Sequence, residues 1–154
     1  MPISEKVNFR KAVPVWEKNK EKEMNHSLVF RAVTAKGRKY VLRIAAHSRY
    51  QIFINGEFAA AGPARAAHGF FRVSEYDFSN KMTDEENVIA VITAGYNVNS
   101  YYLTDQPSFV CMELEEDGEI ILATGSENEF EALTYRNRAK KVQRYSFQRP
   151  FTES

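Results

Sequence analysis

This sequence predicts an all-β fold, an antiparallel jelly-roll β-sandwich, on three observations. Apolar, aromatic and β-branched residues fall in short runs separated by polar or glycine-containing breaks. Two of those breaks are Asn55-Gly56 and Asp117-Gly118, dipeptides suited to the positive φ angles of two-residue hairpin turns. No helical period is sustained over a long window, so nothing supplies the apolar stripe of an amphipathic helix.

Taken in order, residues 1–12 read as a lead-in segment, lightly ordered over Met1 to Arg10, and 13–154 as a single domain. Val13-Pro14-Val15-Trp16 is the first anchor, its tryptophan expected to cover one end of the core. Residues 17–25 alternate charges with little to bury, which fits a solvated loop or a short helix. Residues 28–33 and 40–46 are strands separated by a turn at Lys36-Gly37-Arg38. In the second, Tyr40, Leu42 and Ile44 share one face, while Val41, Arg43 and Ala45 share the other. Tyr50-Gln51-Ile52-Phe53-Ile54 and Glu57-Phe58-Ala59-Ala60-Ala61 are the arms of the Asn-Gly hairpin. Gly62-Pro63 ends it, because proline has no N–H for the ladder.

Ala64-Arg65-Ala66-Ala67-His68-Gly69 is then a loop of small residues carrying two functional side chains, Arg65 and His68. Phe70-Phe71-Arg72-Val73 resumes an extended segment, and after a polar loop at 80–87 the run Val88-Ile89-Ala90-Val91-Ile92 reads as a buried strand. Further on, Phe109, Cys111 and Glu113 fall on one face of a strand whose other face is Val110, Met112 and Leu114. Two faces that apolar suit an inner strand, with Ile120-Ile121-Leu122 as its hairpin partner. Residues 127–140 fit a helix or a strand equally on pattern alone.

At 154 residues the chain makes one domain, long enough to bury about 70% of the surface of its unfolded form without disulfides or metals. Its 44% hydrophobic and 27% charged residues are those of an ordinary globular protein. Lysine plus arginine (21) nearly balances aspartate plus glutamate (20), a net charge of +1. Neither a nucleic-acid nor a membrane partner is expected from that balance. Cys111 is the one cysteine and sits in an apolar run, so core packing is its expected role. The opening residues carry no apolar leader, which gives a cytoplasmic expectation. Asn25-His26-Ser27 fits a glycosylation sequon and reads as a chance match in that setting.

One further pattern carries more than composition. A strand ending in Asn55-Gly56, the Gly62-Pro63-Ala64-Arg65 to His68-Gly69 loop, an aromatic strand leading to Glu75-Tyr76-Asp77-Phe78-Ser79, and Glu86-Asn87-Val88-Ile89-Ala90-Val91 follow one another. Gly95-Tyr96-Asn97-Val98-Asn99-Ser100-Tyr101-Tyr102 and Val142-Gln143-Arg144-Tyr145-Ser146-Phe147-Gln148-Arg149-Pro150-Phe151 come after them. This order resembles the N-terminal accessory β-sandwich of bacterial α-L-rhamnosidases, glycoside hydrolase family 78, from about Val13 to the end of the chain. The resemblance implies a galactose-binding-like jelly roll, a short strand near 130–134, and a non-catalytic role beside downstream domains of a longer hydrolase. It also implies that the catalytic acids lie in a helical barrel which this chain does not contain.

Glycoside hydrolysis needs two carboxyl groups flanking the sugar, about 5 to 10 Å apart. Glu75 and Asp77 share a strand face, but their setting at a strand edge entering a polar turn reads as structural. His26, His47, His68 and Cys111 have no zinc spacing. Oxygen ligands from Asp77, Asn80 and Asp84 leave calcium open, although the expectation is that no cofactor is present. A carbohydrate site needs an aromatic platform with hydrogen-bonding groups beside it. Tyr96, Asn97, Asn99, Tyr101 and Tyr102 supply both, with Arg65 and His68 expected at the same end of the sandwich. Rhamnose-containing glycans are the ligands the resemblance implies. The alternatives are an autonomous carbohydrate-binding module and a purely structural domain, in which Arg65 pairs with a carboxylate such as Glu75 and the tyrosines pack against a neighbouring domain.

Overall fold

The computed structural model describes residues 8–35, 39–64, 66, 70–83, 85–97 and 106–136, together with the backbone of 138–139 and 152–153. Eleven strands occur among them: β1 (His26–Thr34), β2 (Tyr40–His47), β3 (Arg49–Ile54), β4 (Glu57–Gly62), β5 (Ser74–Asp77), β6 (Asn87–Gly95), β7 (Phe109–Glu116), β8 (Glu119–Ala123), β9 (Glu131–Thr134), β10 (Arg138–Ala139) and β11 (Thr152–Glu153). Five form one sheet in the order β4-β3-β6-β1-β9, and four form another in the order β5-β2-β7-β8. Every pairing is antiparallel. β10 and β11 form a separate two-stranded pair among the described residues.

The two sheets pack face to face as a sandwich, because alternate residues of each contribute to one core. From the larger sheet come Leu28, Phe30, Tyr50, Ile52, Ile89 and Val91; from the smaller come Tyr40, Leu42, Ile44, Val110, Met112 and Leu114. Strand alternation makes this possible: in β2 and β7 the even-numbered residues point inward. Phe130, just before β9, closes one side of the core. Cys111 is buried on the other face of β7, and burial pushes its thiol up to about 11.

The hairpin turns follow from their residues. Asn55 and Gly56 have φ of 51° and 82°, and Asp117 and Gly118 have 48° and 91°, the left-handed pair that two-residue turns require. Asn55 does more than turn the chain. Its Nδ2 donates to Asn87 Oδ1 at 2.9 Å and its Oδ1 accepts from Val88 N–H at 2.8 Å, so the hairpin tip is sewn to β6.

Two expectations change. Phe70-Phe71-Arg72-Val73 is not a strand; pairing with β2 begins at Ser74. Leu42 and Ile44 face the core, so the edge strand is set by where Tyr76 can add to their face, and Phe70 and Phe71 remain exposed. Nor is the whole of 1–12 loose. Val15 forms an isolated bridge with Val110, and Val13 N–H donates to the Thr124 carbonyl at 3.0 Å. Ahead of them, the Glu113 carboxylate accepts backbone N–H groups from Arg10, Lys11 and Ala12 at 2.9–3.2 Å. Residues 10–16 are therefore a strap bound along β7.

Glu113 can be fully buried because its charge is met on all sides. Arg43, opposite it in register on β2, places Nη1 3.4 Å away. The same guanidinium meets Glu75 at 2.8 Å and Glu115 at 2.6 Å. Burial acts to lower the Arg43 pKa, but Glu115 and Glu75 outweigh it and leave the guanidinium above its ordinary value. The sequon residue Asn25, just before β1, is buried, so its side chain is closed to glycan attachment in the folded chain.

Candidate functional site

The predicted carbohydrate cluster falls partly within the described residues. Arg65, His68, Asn99, Tyr101 and Tyr102 lie outside them, as do Asp84 and the 142–151 segment. Tyr96 and Asn97 are described, and the sandwich fixes both where β6 ends. Tyr96 is 5% exposed, its N–H donating to Ser48 Oγ at 3.0 Å and its carbonyl accepting from Asn25 N–H at 3.1 Å. Asn97, at a φ of 47°, donates from Nδ2 to Ser108 Oγ at 2.7 Å and to the Glu23 carbonyl at 3.1 Å.

The described flanks of the two loops meet. A groove of about 390 Å³ on the outer face of the larger sheet is bordered by Arg49 and Gln51 of β3, Ala61 and Gly62 of β4, Pro63 and Ala64, Ile92 and Ala94 of β6, and Tyr96. Register explains the convergence: Gln51 lies opposite both Ala61 and Ile92, and Arg49 opposite Ala94. The entrance to the 64–69 loop and the exit of β6 thus share one surface.

The carboxylates weighed for catalysis are occupied. Glu75 pairs with Arg43 at 2.8 Å. Asp77 accepts from Ser79 Oγ at 2.5 Å and from Ser79 N–H at 2.9 Å, bonds that hold its carboxyl below the ordinary aspartate range. A general acid needs the opposite shift. Asn80 sits in a 3-10 turn, Ser79–Lys81, shortly after Asp77. Among the described residues no three histidine, cysteine, aspartate or glutamate side chains group as metal ligands, and none of the described helical segments is long and apolar enough to cross a membrane.

A second cavity, of about 280 Å³, was not legible in the sequence. It opens beside β9, where residues 124–130 cross from one sheet to the other. Leu28, Phe30 and Phe130 supply apolar walls, Val15 and Trp16 of the strap border it, and Glu17, Glu129 and Thr134 carry its polar atoms. Glu17 is held in place: buried His26 puts Nε2 2.6 Å from its Oε2, and Thr134 Oγ1 donates to the same oxygen at 3.1 Å. The His26 hydrogen bond lowers the Glu17 pKa, with Thr134 adding to the effect. Trp16 meets His26 edge to face at 6.1 Å and donates from Nε1 to the Lys20 carbonyl at 3.2 Å. The only early signal was the tryptophan itself.

No known family's sequence profile matches the chain, and no curated protein matches it by sequence. Solved structures do match. The GH78 family rhamnosidase of Bacillus sp. GL1 aligns with a TM-score of 0.71 and 25% identity over 86% of this chain. The α-L-rhamnosidase of Aspergillus terreus aligns with a TM-score of 0.53 and 18% identity over 80%. The chain spans only 14% of the first protein and 16% of the second. A weaker likeness, at a TM-score of 0.39, is to a PA14 sugar-binding domain from an RTX adhesin. By strand arrangement and extent, this sandwich is the structural counterpart of a small domain within GH78 α-L-rhamnosidases.

Proposed function

We propose that this chain is a non-catalytic accessory domain of an α-L-rhamnosidase-like glycoside hydrolase, supporting the catalytic domain and contacting carbohydrate at the loop end of a galactose-binding-type jelly roll. The observation that carries the reading is the match over 86% of this chain to only 14% of a GH78 rhamnosidase. The occupied carboxylates Glu75 and Asp77 support the non-catalytic part. Its partners would be the other domains of the same enzyme.

A segment exchange tests the reading. The matching segment of the Bacillus sp. GL1 rhamnosidase is replaced by this chain, or deleted, and hydrolysis of an aryl α-L-rhamnoside is measured. An accessory role predicts a folded chimera that retains activity and a deletion that loses solubility or rate. Equal loss in both would sink the proposal, as would rhamnoside hydrolysis by this chain alone.

The groove bordered by Tyr96 and Pro63 favours a second reading, an autonomous carbohydrate-binding module. Titration of the chain with L-rhamnose and galactose, with and without calcium, separates the two. Saturable binding that disappears in Tyr101→Ala would support the module; no binding at millimolar sugar would count against it.

A further inference from the structure

We propose that the cavity beneath the Val15-Trp16-Glu17 strap is a second saccharide site, separate from the loop-end groove, that takes one neutral monosaccharide unit with an apolar face. The choice of sugar rests on the glycosidase reading above; the site itself rests on its own geometry. Close packing is the rule for a protein interior, yet here Leu28, Phe30 and Phe130, all nearly buried, border a solvent-open space of about 280 Å³. That volume is at the small end of ligand pockets.

The polar groups are few and already oriented. Both His26 and Thr134 engage Oε2 of Glu17, and no described residue hydrogen-bonds to its Oε1. Gly125 N–H donates to Oε1 of Glu129 at 2.7 Å, and no described residue hydrogen-bonds to its Oε2. Two fixed carboxylates thus each keep an acceptor oxygen beside an apolar wall. A pyranose is complementary to that pattern: its hydroxyl edge donates and its C–H face packs on apolar and aromatic surface. A 6-deoxy sugar matches best, since its methyl group adds apolar area where a hydroxymethyl would need another partner. Glu17, held below the ordinary glutamate range by its His26 hydrogen bond, serves as an acceptor and not as a general acid.

Trp16, the one tryptophan of the sequence, borders the cavity, so its emission, excited where tyrosine does not absorb, reports on the site, and the groove variant below separates it from the loop end. The full chain is titrated with L-rhamnose, with glucose and with n-butylammonium. The expected result is a saturable change in Trp16 emission with L-rhamnose, at a dissociation constant on the order of 1 mM. Glu129→Gln should weaken it about tenfold, the loss of one charge-assisted hydrogen bond, and Ala132→Phe should abolish it by filling the opening. Ala61→Phe, which obstructs the other groove, should leave it unchanged. Thermal unfolding of each variant establishes that it is folded. No Trp16 response to sugar overturns the proposal, as does a response to n-butylammonium in its place, or one that survives both Glu129→Gln and Ala132→Phe. None of these outcomes bears on the segment exchange, which tests the accessory role separately.

Discussion

Replacing Glu113 by glutamine should release the N-terminal strap. Glu113 is 0% exposed and its carboxylate receives N–H groups from Arg10, Lys11 and Ala12 in addition to Arg43. Glutamine keeps one acceptor oxygen and puts an NH₂ where the second stood, facing donors. Hydrogen bonds to a charged group contribute about 1.5–3 kcal/mol each, and breaking a buried pair costs about 3–5 kcal/mol. Arg43 keeps Glu75 and Glu115, which removes part of the second penalty. A net loss of about 3 kcal/mol follows, equivalent to a fall in Tm of roughly 6–12 °C for a domain of this size. The control is Glu75→Gln, whose side chain is 44% exposed; it should cost under about 1 kcal/mol. Urea unfolding gives the energies, and amide exchange at residues 11 and 12 locates the effect. If the two variants lose the same stability, or those amides keep their protection, the buried carboxylate is not what holds the strap.

Three other outcomes are expected. Gly95→Ala would bring a Cβ to 2.6 Å from Ser108 Cβ and 3.1 Å from Trp16 Cζ2, so it should destabilise by about 1–3 kcal/mol and alter Trp16 emission; an unchanged spectrum and urea midpoint would refute the contact. Cys111, buried with its thiol pushed up to about 11, should react with a disulfide reagent at pH 8 only when the chain unfolds, so fast labelling of the native protein would contradict its burial. The folded Glu17 pKa is depressed, so its hydrogen bonds stabilise fully above the unfolded value near 4.5 and fade as pH falls through the folded one. Glu17→Gln should therefore differ from the parent in urea midpoint at pH 6 and converge with it in strong acid; a gap that widens on acidification would reverse the assignment.

What the sequence made legible is what short-range chemistry decides. Asn55-Gly56 and Asp117-Gly118 announced their turns because the residues accept positive φ wherever they occur. The faces of β2 and β7 followed from alternation, and the strand at β9 from the family resemblance. Long-range polar pairing was not legible. Glu113 could be placed on the same face as Cys111, but its partners lie 101–103 residues earlier, and no local pattern relates the two. That is why residues 10–12 read only as part of the lead-in. The second cavity was hidden for the same reason, since Trp16, Phe30, Phe130 and Thr134 become neighbours only when β9 docks beside β1. The extended run at 70–73 misled because two phenylalanines suggest a strand, whereas pairing was decided by what β2 could accept.

The strap also sets an order of events during synthesis. Residues 10–16 leave the ribosome well ahead of the strands that hold them: Val15 bridges Val110, Val13 reaches Thr124, and Arg10 to Ala12 rest on Glu113. At about 5–20 residues per second, the strap waits on the order of 5–20 s for the strands that receive it. Nothing can seat it earlier, because its acceptors do not yet exist. The strap therefore closes only after β7 and β8 have been made, an earlier part of the chain seated by a later one.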